Sequence, residues 1–186
     1  MARTPSNMLD LGTKAPNFTL PNTIDEKAYS FLDVEGKHGT VVMFICNHCP
    51  YVLHVFNGIT SLANDYINQG IGFVAISSND VENYPDDSPK LMKTTAKEQG
   101  FQFPYLYDES QDVAKAYDAA CTPDFYLFDA KRALVYRGQM DDSRPKNDIP
   151  VSGKDLRAAL DALLGGTPID SIQKPSLGCN IKWKAS

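Results

Sequence analysis

Two short apolar runs and the helical pattern between them make up the clearest part of the chain. The runs are "TVVMFI" (40–45) and "IGFVAIS" (71–77). Both are β-branched and nearly continuous, as expected for parallel strands covered on both faces. Between them apolar residues recur at helical spacing, Pro50 suits a first helical turn and Gly70 can end the helix. These signals predict a βαβ unit.

The pattern changes in the second half of the chain. Ser88-Pro89 opens a second predicted helix that Gly100 ends, and 110–117 supplies a short third helix with Ser110 as its cap. "DFYLFD" and "ALVYRG" predict an antiparallel hairpin. A last helix is predicted from Ser152, where Ser-x-x-Asp resembles a capping box, and 167–186 has no clear period. The predicted order is βαβ, helix, ββα.

Composition limits the possible classes of protein. A chain of 186 residues that is 42% hydrophobic suits one α/β domain spanning 1–186, with 167–186 as its tail. Eighteen basic residues against 23 acidic ones give a net charge of -5, which argues against a nucleic-acid partner. No apolar run is long enough for a signal peptide or a membrane span, so we expect a cytoplasmic protein without a membrane partner.

The four cysteines are too few and too unevenly spaced for a secreted disulfide scaffold. Two of them lie in "FICNHCPY" (44–51), where a predicted strand meets a predicted helix and Cys49 occupies the cap position before Pro50. A thiolate there faces unpaired backbone N–H groups, which lower its pKa, so we expect Cys49 to be the nucleophile. Cys46 could be the partner that closes a disulfide. The alternative is a pair of structural cysteines, and His48 could bias the thiolate, help to bind a metal or be a solvated spacer.

Several segments together resemble a known family. They are "LGTKAPNFTLPN", "GTVVMFICNHCPYV", "FPYLYDES", "CTPDFYLFD" and "LVYRGQMDDSRP". The chain resembles the thioredoxin-fold redoxin superfamily, specifically the peroxiredoxin-like relatives of alkyl hydroperoxide reductase and thiol-specific antioxidant. This resemblance implies a thioredoxin-like fold, a central mixed sheet flanked by helices, with an N-terminal extension and a C-terminal tail.

Matching the cysteine motif to the family separates two reactions. Cys49 falls at the first cysteine of thioredoxin's W-C-G-P-C and at the peroxide-attacking cysteine of peroxiredoxins, while Val52 takes the place of thioredoxin's second cysteine. In peroxiredoxins a Thr or Ser and an arginine hold the peroxide. Their places here are taken by Cys46 and Pro123, and Val42 replaces the upstream proline. The resemblance therefore favours disulfide exchange over peroxide reduction.

Thr122-Pro123 resembles the cis-proline loop of thioredoxins, which binds an extended substrate beside the active cysteine. We predict a cis bond here, with Thr122 and Pro123 as substrate-binding residues; an ordinary trans proline opening a strand is the alternative.

Two further cysteines are possible resolving residues. Cys121 directly precedes Thr122. It could resolve a disulfide at Cys49 or, equally, be an inert buried thiol. Cys179, in "GCNIKWK", matches weakly the resolving cysteine near the C-terminus of two-cysteine peroxiredoxins, with Trp183 as its tryptophan. Cys179 could also be a bystander or pair with Cys121. Arg144 could replace the absent arginine, although a solvated salt-bridge loop around it is the default.

The leading hypothesis is a thiol–disulfide oxidoreductase in which Cys49 attacks and another cysteine resolves. Its substrate would be a protein or small-molecule disulfide or hydroperoxide, its reductant a thiol protein such as thioredoxin, and no cofactor or metal is expected. A thiol-dependent peroxidase is the close alternative. A Sco-like copper-binding protein is a third, because "NHCP" resembles that group's motif, but Leu53 stands where its second cysteine would be. A redox sensor or interaction domain without catalysis is also possible.

Overall fold

A computed structural model describes residues 3–185. The helices are α1 (Phe31–Val34), α2 (Pro50–Ile67), α3 (Pro89–Glu98), α4 (Asp112–Ala116) and α5 (Lys154–Gly165), with a short 3₁₀ helix at Pro85–Asp87. The strands are β1 (Arg3–Pro5), β2 (Thr19–Pro21), β3 (Ala28–Ser30), β4 (Gly39–Phe44), β5 (Ile71–Ser77), β6 (Tyr105–Tyr107), β7 (Cys121–Thr122), β8 (Asp124–Asp129), β9 (Leu134–Gly138) and β10 (Leu177–Asn180).

The central sheet has five strands in the order β6-β5-β4-β8-β9. Strands β4, β5 and β6 are parallel, and β8 and β9 add an antiparallel hairpin beside β4. The mixed sheet confirms the predicted βαβ unit and the predicted hairpin. Every residue of β4 is buried, which explains its uninterrupted apolar sequence.

Strand β4 separates two hydrophobic layers. Val41 and Met43 pack with residues of α2, α3 and α5, whereas Val42 and Phe44 pack with residues of α1 and α4. Successive strand residues point to opposite faces, so one strand contributes to both layers. The result is a three-layer α/β/α arrangement, as the predicted thioredoxin-like fold requires.

The C-terminal segment forms a second sheet that the sequence pattern did not predict. Strand β10 pairs antiparallel with β1 on one side and with β7 on the other. A Cβ added at Gly178 would overlap the carbonyl group of Thr122, so only glycine permits this close approach of the two backbones. Strand β10 therefore packs closely against the loop that contains Thr122.

Two helices begin two residues later than predicted, α4 at Asp112 and α5 at Lys154. Gln111, with a positive φ of 66°, is the N-cap residue of α4 in place of the predicted Ser110. The Ser110 hydroxyl still accepts a hydrogen bond from the Asp112 N–H, the first residue of the helix. Helix α5 follows Gly153, whose φ is 70°. The local turn geometry delays both helices beyond the point at which the polar cap signal occurs. Helices α2 and α3 begin at the predicted prolines.

Among residues 3–185, no helix has the length and apolar character that crossing a membrane requires.

Candidate active site

Cys49 lies at the junction between β4 and α2. Its backbone is extended (φ -69°, ψ 123°), it is the N-cap residue of α2, and its carbonyl accepts hydrogen bonds from the N–H groups of Val52 and Leu53. The residue is completely buried. The sequence correctly identified this cap position, because a proline at the first helical position follows it directly.

The sulfur of Cys49 lies against Cys179 of β10. The two Sγ atoms are 2.8 Å apart, and the Thr122 carbonyl oxygen lies 3.2 Å from the Cys49 Sγ. Strand pairing produces this contact, since Cys179 is directly opposite Thr122 in the β10–β7 ladder. A disulfide needs the sulfurs at about 2.05 Å, so only a small movement separates this pair from a covalent bond.

Cys46 contacts both Thr122 and Cys49. Its Sγ is 3.4 Å from the Thr122 hydroxyl, and its side chain also hydrogen-bonds Cys49. This hydrogen bond raises the pKa of Cys46 well above its ordinary value, with burial and the charge of Asp87 acting in the same direction. Cys46 therefore remains a thiol and can donate its proton towards Cys49.

The same hydrogen bond has the opposite effect on Cys49. Donation from Cys46 lowers the pKa of Cys49 to about 5, against the effect of burial, and hydrogen bonds from Cys179 and from the Val52 N–H contribute further. Burial, followed by the hydrogen bond to Cys49, raises the pKa of Cys179 to about 12. Of these three sulfurs, Cys49 is thus the thiolate near neutral pH, and a thiolate is the form that attacks disulfides.

The predicted cis peptide bond between Thr122 and Pro123 is confirmed. The loop lies beside Cys49, as the resemblance to thioredoxins implied, and contributes a carbonyl to Cys49 and a hydroxyl to Cys46. Asp124 follows it and is completely buried, with the Tyr126 hydroxyl donating to it at 2.9 Å. Burial raises the pKa of Asp124 to about 8. No pattern in the sequence indicated that this carboxyl would be buried.

Cys121 lies apart from the contacts of Cys49. It precedes Thr122 in β7, and alternate strand residues point to opposite faces, so its side chain is directed away from the face that Thr122 shares with Cys49. The Cys121 Sγ is 3.8 Å from the Pro123 carbonyl, and burial raises the pKa of this thiol. Of the two possible resolving cysteines, the fold brings Cys179 to Cys49.

His48 hydrogen-bonds an acidic residue, Asp87, that the sequence analysis did not identify. Its Nδ1 is 2.7 Å from the Asp87 carboxylate, which also accepts hydrogen bonds from the Asn79 side chain and the Asn47 backbone N–H. The imidazole stacks on Tyr84 with ring centroids 5.7 Å apart. His48 is therefore a fixed neighbour of the cysteines and not a solvated spacer. Asp87 was missed because the 3₁₀ helix that buries it has no recognisable pattern.

Donor atoms of Cys46, His48 and Asp87 lie within 4.8 Å of one another, close enough to share a metal ion. The set does not fit the copper site of the Sco-like alternative, because Leu53 replaces the second cysteine ligand. In addition, three protein donors already satisfy the Asp87 carboxylate. The arrangement is complete as a hydrogen-bonded network.

The expected salt-bridge loop around Arg144 is not present between the described residues. Arg137 donates to the Leu9 carbonyl and to Gln173, while Asp142 pairs with Lys174. The Arg144 guanidinium donates to Gln139 and to the carbonyl groups of Asp141 and Ser143. Arg144 also lines a pocket that reaches Cys179, so it lies over the edge of the cysteine group.

Comparisons with known proteins agree with this geometry. A model of the AhpC/TSA family matches residues 11–137. The crystal structure of an uncharacterized conserved protein from Geobacillus kaustophilus is 60% identical, covers 100% of this chain and 98% of its own, and superposes with a TM-score of 0.98. "Putative peroxiredoxin Rv2521" of Mycobacterium tuberculosis is 29% identical over 116 residues, which is 62% of this chain and 68% of the relative.

A more distant solved structure supports the fold alone. It is a thiol:disulfide interchange protein of the thioredoxin family from Chlorobium tepidum TLS, 20% identical, with a TM-score of 0.63 over 84% of this chain and 99% of its own. The thioredoxin-like fold expected from the sequence is thereby confirmed.

Proposed function

This chain belongs to the AhpC/TSA family, and we propose that it is a thiol–disulfide oxidoreductase in which Cys49 attacks and Cys179 resolves. The observation that carries the proposal is the 2.8 Å separation of the Cys49 and Cys179 sulfurs. The curated relative is a putative peroxiredoxin and the more distant fold neighbour a thiol:disulfide interchange protein, so the assignment depends on the groups around Cys49.

The first step uses the thiolate of Cys49. It attacks one sulfur of a substrate disulfide, forms a mixed disulfide with that half and releases the other half as a thiolate. Hydrogen bonds from Cys46 and Cys179 keep Cys49 ionised at neutral pH. Thiolate fraction sets the rate of such exchange, so this environment favours attack.

The second step uses Cys179. Its pKa is raised first by burial and next by its hydrogen bond to Cys49 and the charge on that sulfur. Formation of the mixed disulfide removes the charge on Cys49, so Cys179 loses its proton more readily at that stage. The Cys179 thiolate then attacks Cys49, closes the Cys49–Cys179 disulfide and releases the second half of the substrate.

Cys46 has a different role in this scheme. Its thiol takes the position at which peroxiredoxins hold a Thr or Ser, and it donates a hydrogen bond to Cys49. We assign Cys46 as a positioning residue that stabilises the thiolate, and we assign the Thr122-Pro123 loop as the binding site for the substrate backbone.

Activity assays on single variants test the proposal. The wild type should reduce a disulfide substrate such as insulin, Cys49→Ser should abolish turnover, and Cys179→Ser should accumulate a mixed disulfide at Cys49 that mass spectrometry identifies. Cys121→Ser is the matched control and should keep activity. Rapid peroxide reduction by the wild type, without disulfide reduction, would instead favour the thiol-dependent peroxidase.

A further inference from the structure

A pocket of about 260 Å³ opens beside Cys179, and cationic residues dominate its polar lining. The side chains that matter are Arg3, Arg144, Lys146, Tyr51 and Cys179 itself. No acidic residue is among the described residues that line it. Because the chain as a whole carries a net charge of -5, this local excess of positive charge runs against the average of the surface.

Strand register fixes the position of Arg3 relative to the cysteines. Arg3 is directly opposite Cys179 in the β1–β10 ladder, and Cys179 is directly opposite Thr122 in the β10–β7 ladder. Side chains of directly opposed residues lie on the same face of a sheet. Arg3, Cys179 and Thr122 thus form one cross-strand row on the face that meets Cys49, with Arg3 at its solvent-exposed end.

None of the three basic side chains forms an ion pair with a carboxylate of residues 3–185, although Arg144 lies close enough for its charge to help lower the pKa of Asp142. Arg144 is held in place by neutral acceptors, the Gln139 side chain and two backbone carbonyl groups. Between residues 3 and 185, none of the ion pairs includes Arg3, Arg144 or Lys146. A carboxylate that enters the pocket would therefore meet available positive charge next to a sulfur atom.

We propose that this pocket binds a low-molecular-weight thiol bearing carboxylate groups, and that this anionic thiol reduces the Cys49–Cys179 disulfide by attacking Cys179. The inference rests on the proposed function, since it requires that this disulfide forms. A small thiol suits the site because Cys49 is completely buried and the pocket reaches the pair at Cys179.

The reduction proceeds in two exchanges. The thiolate of the small molecule attacks the Cys179 sulfur, a new S–S bond forms to Cys179, and the bond to Cys49 breaks with its electron pair remaining on Cys49. A second thiolate attacks the small-molecule sulfur of that mixed disulfide. Cys179 leaves and takes up a proton, and the two small thiols are released as their symmetric disulfide. The protein disulfide gains two electrons, and the two thiols lose them.

The leaving groups decide which sulfur of the disulfide the small thiol attacks. The pKa of Cys49 is about 5 and that of Cys179 about 12, so attack on Cys179 expels the more stable thiolate. Cys179, which lines the pocket, is thus also the sulfur at which attack is chemically favoured.

Competing reductants of different charge test the inference on the oxidised full-length chain. The probes are mercaptosuccinate, which carries two carboxylates, neutral 2-mercaptoethanol and cationic cysteamine. Rates of reduction are expressed per thiolate and divided by the rate of the same thiol with the neutral model disulfide 2,2′-dithiodipyridine. We expect a preference of about tenfold for mercaptosuccinate over 2-mercaptoethanol at low salt, with cysteamine slowest. This preference should shrink as ionic strength rises.

Charge-removing variants complete the test. Arg3→Gln combined with Lys146→Gln should lower the preference for mercaptosuccinate severalfold, because both side chains are exposed at the pocket. Lys97→Gln combined with Lys131→Gln also removes two exposed positive charges, both outside the pocket, and should leave the preference unchanged.

Two different failures can be told apart by mapping the disulfide before any thiol is added. If oxidation yields no Cys49–Cys179 bond, both the proposed function and this inference are wrong. If the bond forms but mercaptosuccinate shows no preference over 2-mercaptoethanol, or thioredoxin alone reduces the bond, only the anionic-thiol inference is overturned.

Discussion

The sulfurs of Cys49 and Cys179 lie 2.8 Å apart although 130 positions separate the residues in the chain. Two unrelated pieces of local structure produce the contact. The cap of α2 fixes Cys49, and the pairing of β10 with β7 fixes Cys179. The reactive group therefore depends on the docking of the C-terminal segment as much as on the C-x-x-C sequence around Cys49.

Removal of the hydrogen-bond donor on Cys46 should weaken the Cys49 thiolate. Cys46→Ala is expected to raise the pKa of Cys49 from about 5 towards its ordinary range, because the Cys46 hydrogen bond is the largest cause of the lowered value. At pH 6 the rate of Cys49 alkylation should fall by about tenfold or more. Peptide mass spectrometry after timed iodoacetamide treatment measures this rate at Cys49 alone.

Cys46→Ser is the matched control, since a hydroxyl also donates a hydrogen bond. It should keep most of the reactivity of the wild type at pH 6. Equal alkylation profiles for the wild type and Cys46→Ala would show that Cys46 does not stabilise the thiolate.

Substitution of Gly178 should disturb the docking of β10. Gly178→Ala places a methyl group onto the Thr122 carbonyl, so we expect about 1–3 kcal/mol of destabilisation in urea unfolding and slower formation of the disulfide at Cys179. Gly165→Ala is the control, because a Cβ at the end of α5 meets nothing within 4 Å. Equal stability of the two variants would mean that the β10 backbone can move aside without cost.

The buried carboxyl of Asp124 should make stability depend on pH. Its pKa is raised to about 8 in the folded protein, above the unfolded value of about 3.9, so the folded state retains a proton that the unfolded state releases. This contribution to stability is complete below about pH 4 and is lost as the pH rises through about 8, at up to about 1.4 kcal/mol per pH unit.

Comparison with Asp124→Asn isolates that effect. Cys49 contributes in the opposite sense, since its lowered pKa adds stability as the pH rises above about 5, but it does so equally in both proteins. The difference in unfolding free energy, wild type minus variant, should therefore fall steadily between pH 5 and pH 8. A difference that stays constant over this range would contradict the assignment of a protonated Asp124.

Much of the fold was predictable because its strongest signals are local. The continuous apolar run of β4 predicts burial on both faces of the strand. Pro50 predicts the start of α2 and therefore the N-cap position of Cys49. The cis bond before Pro123 was predicted from the family resemblance and not from any periodicity.

Other parts of the site depend on contacts between distant residues. Strand β10 has four residues, too few to show a period, and its partners are β1 and β7. Cys179 was therefore only one of several possible resolving cysteines. Asp87 gave no signal at all, because its importance arises from burial next to His48 and Asn79, which belong to other segments.

Disulfide mapping after mild oxidation identifies directly the cysteine that pairs with Cys49. The reduced full-length protein is treated with one equivalent of oxidant, blocked with an alkylating agent, digested without reduction and analysed by mass spectrometry. We predict a dominant Cys49–Cys179 bond in the wild type, which persists in Cys46→Ser and Cys121→Ser and disappears in Cys179→Ser. A dominant Cys46–Cys49 bond in the wild type would instead show that Cys46 is the resolving residue and that the assignment of Cys179 is wrong.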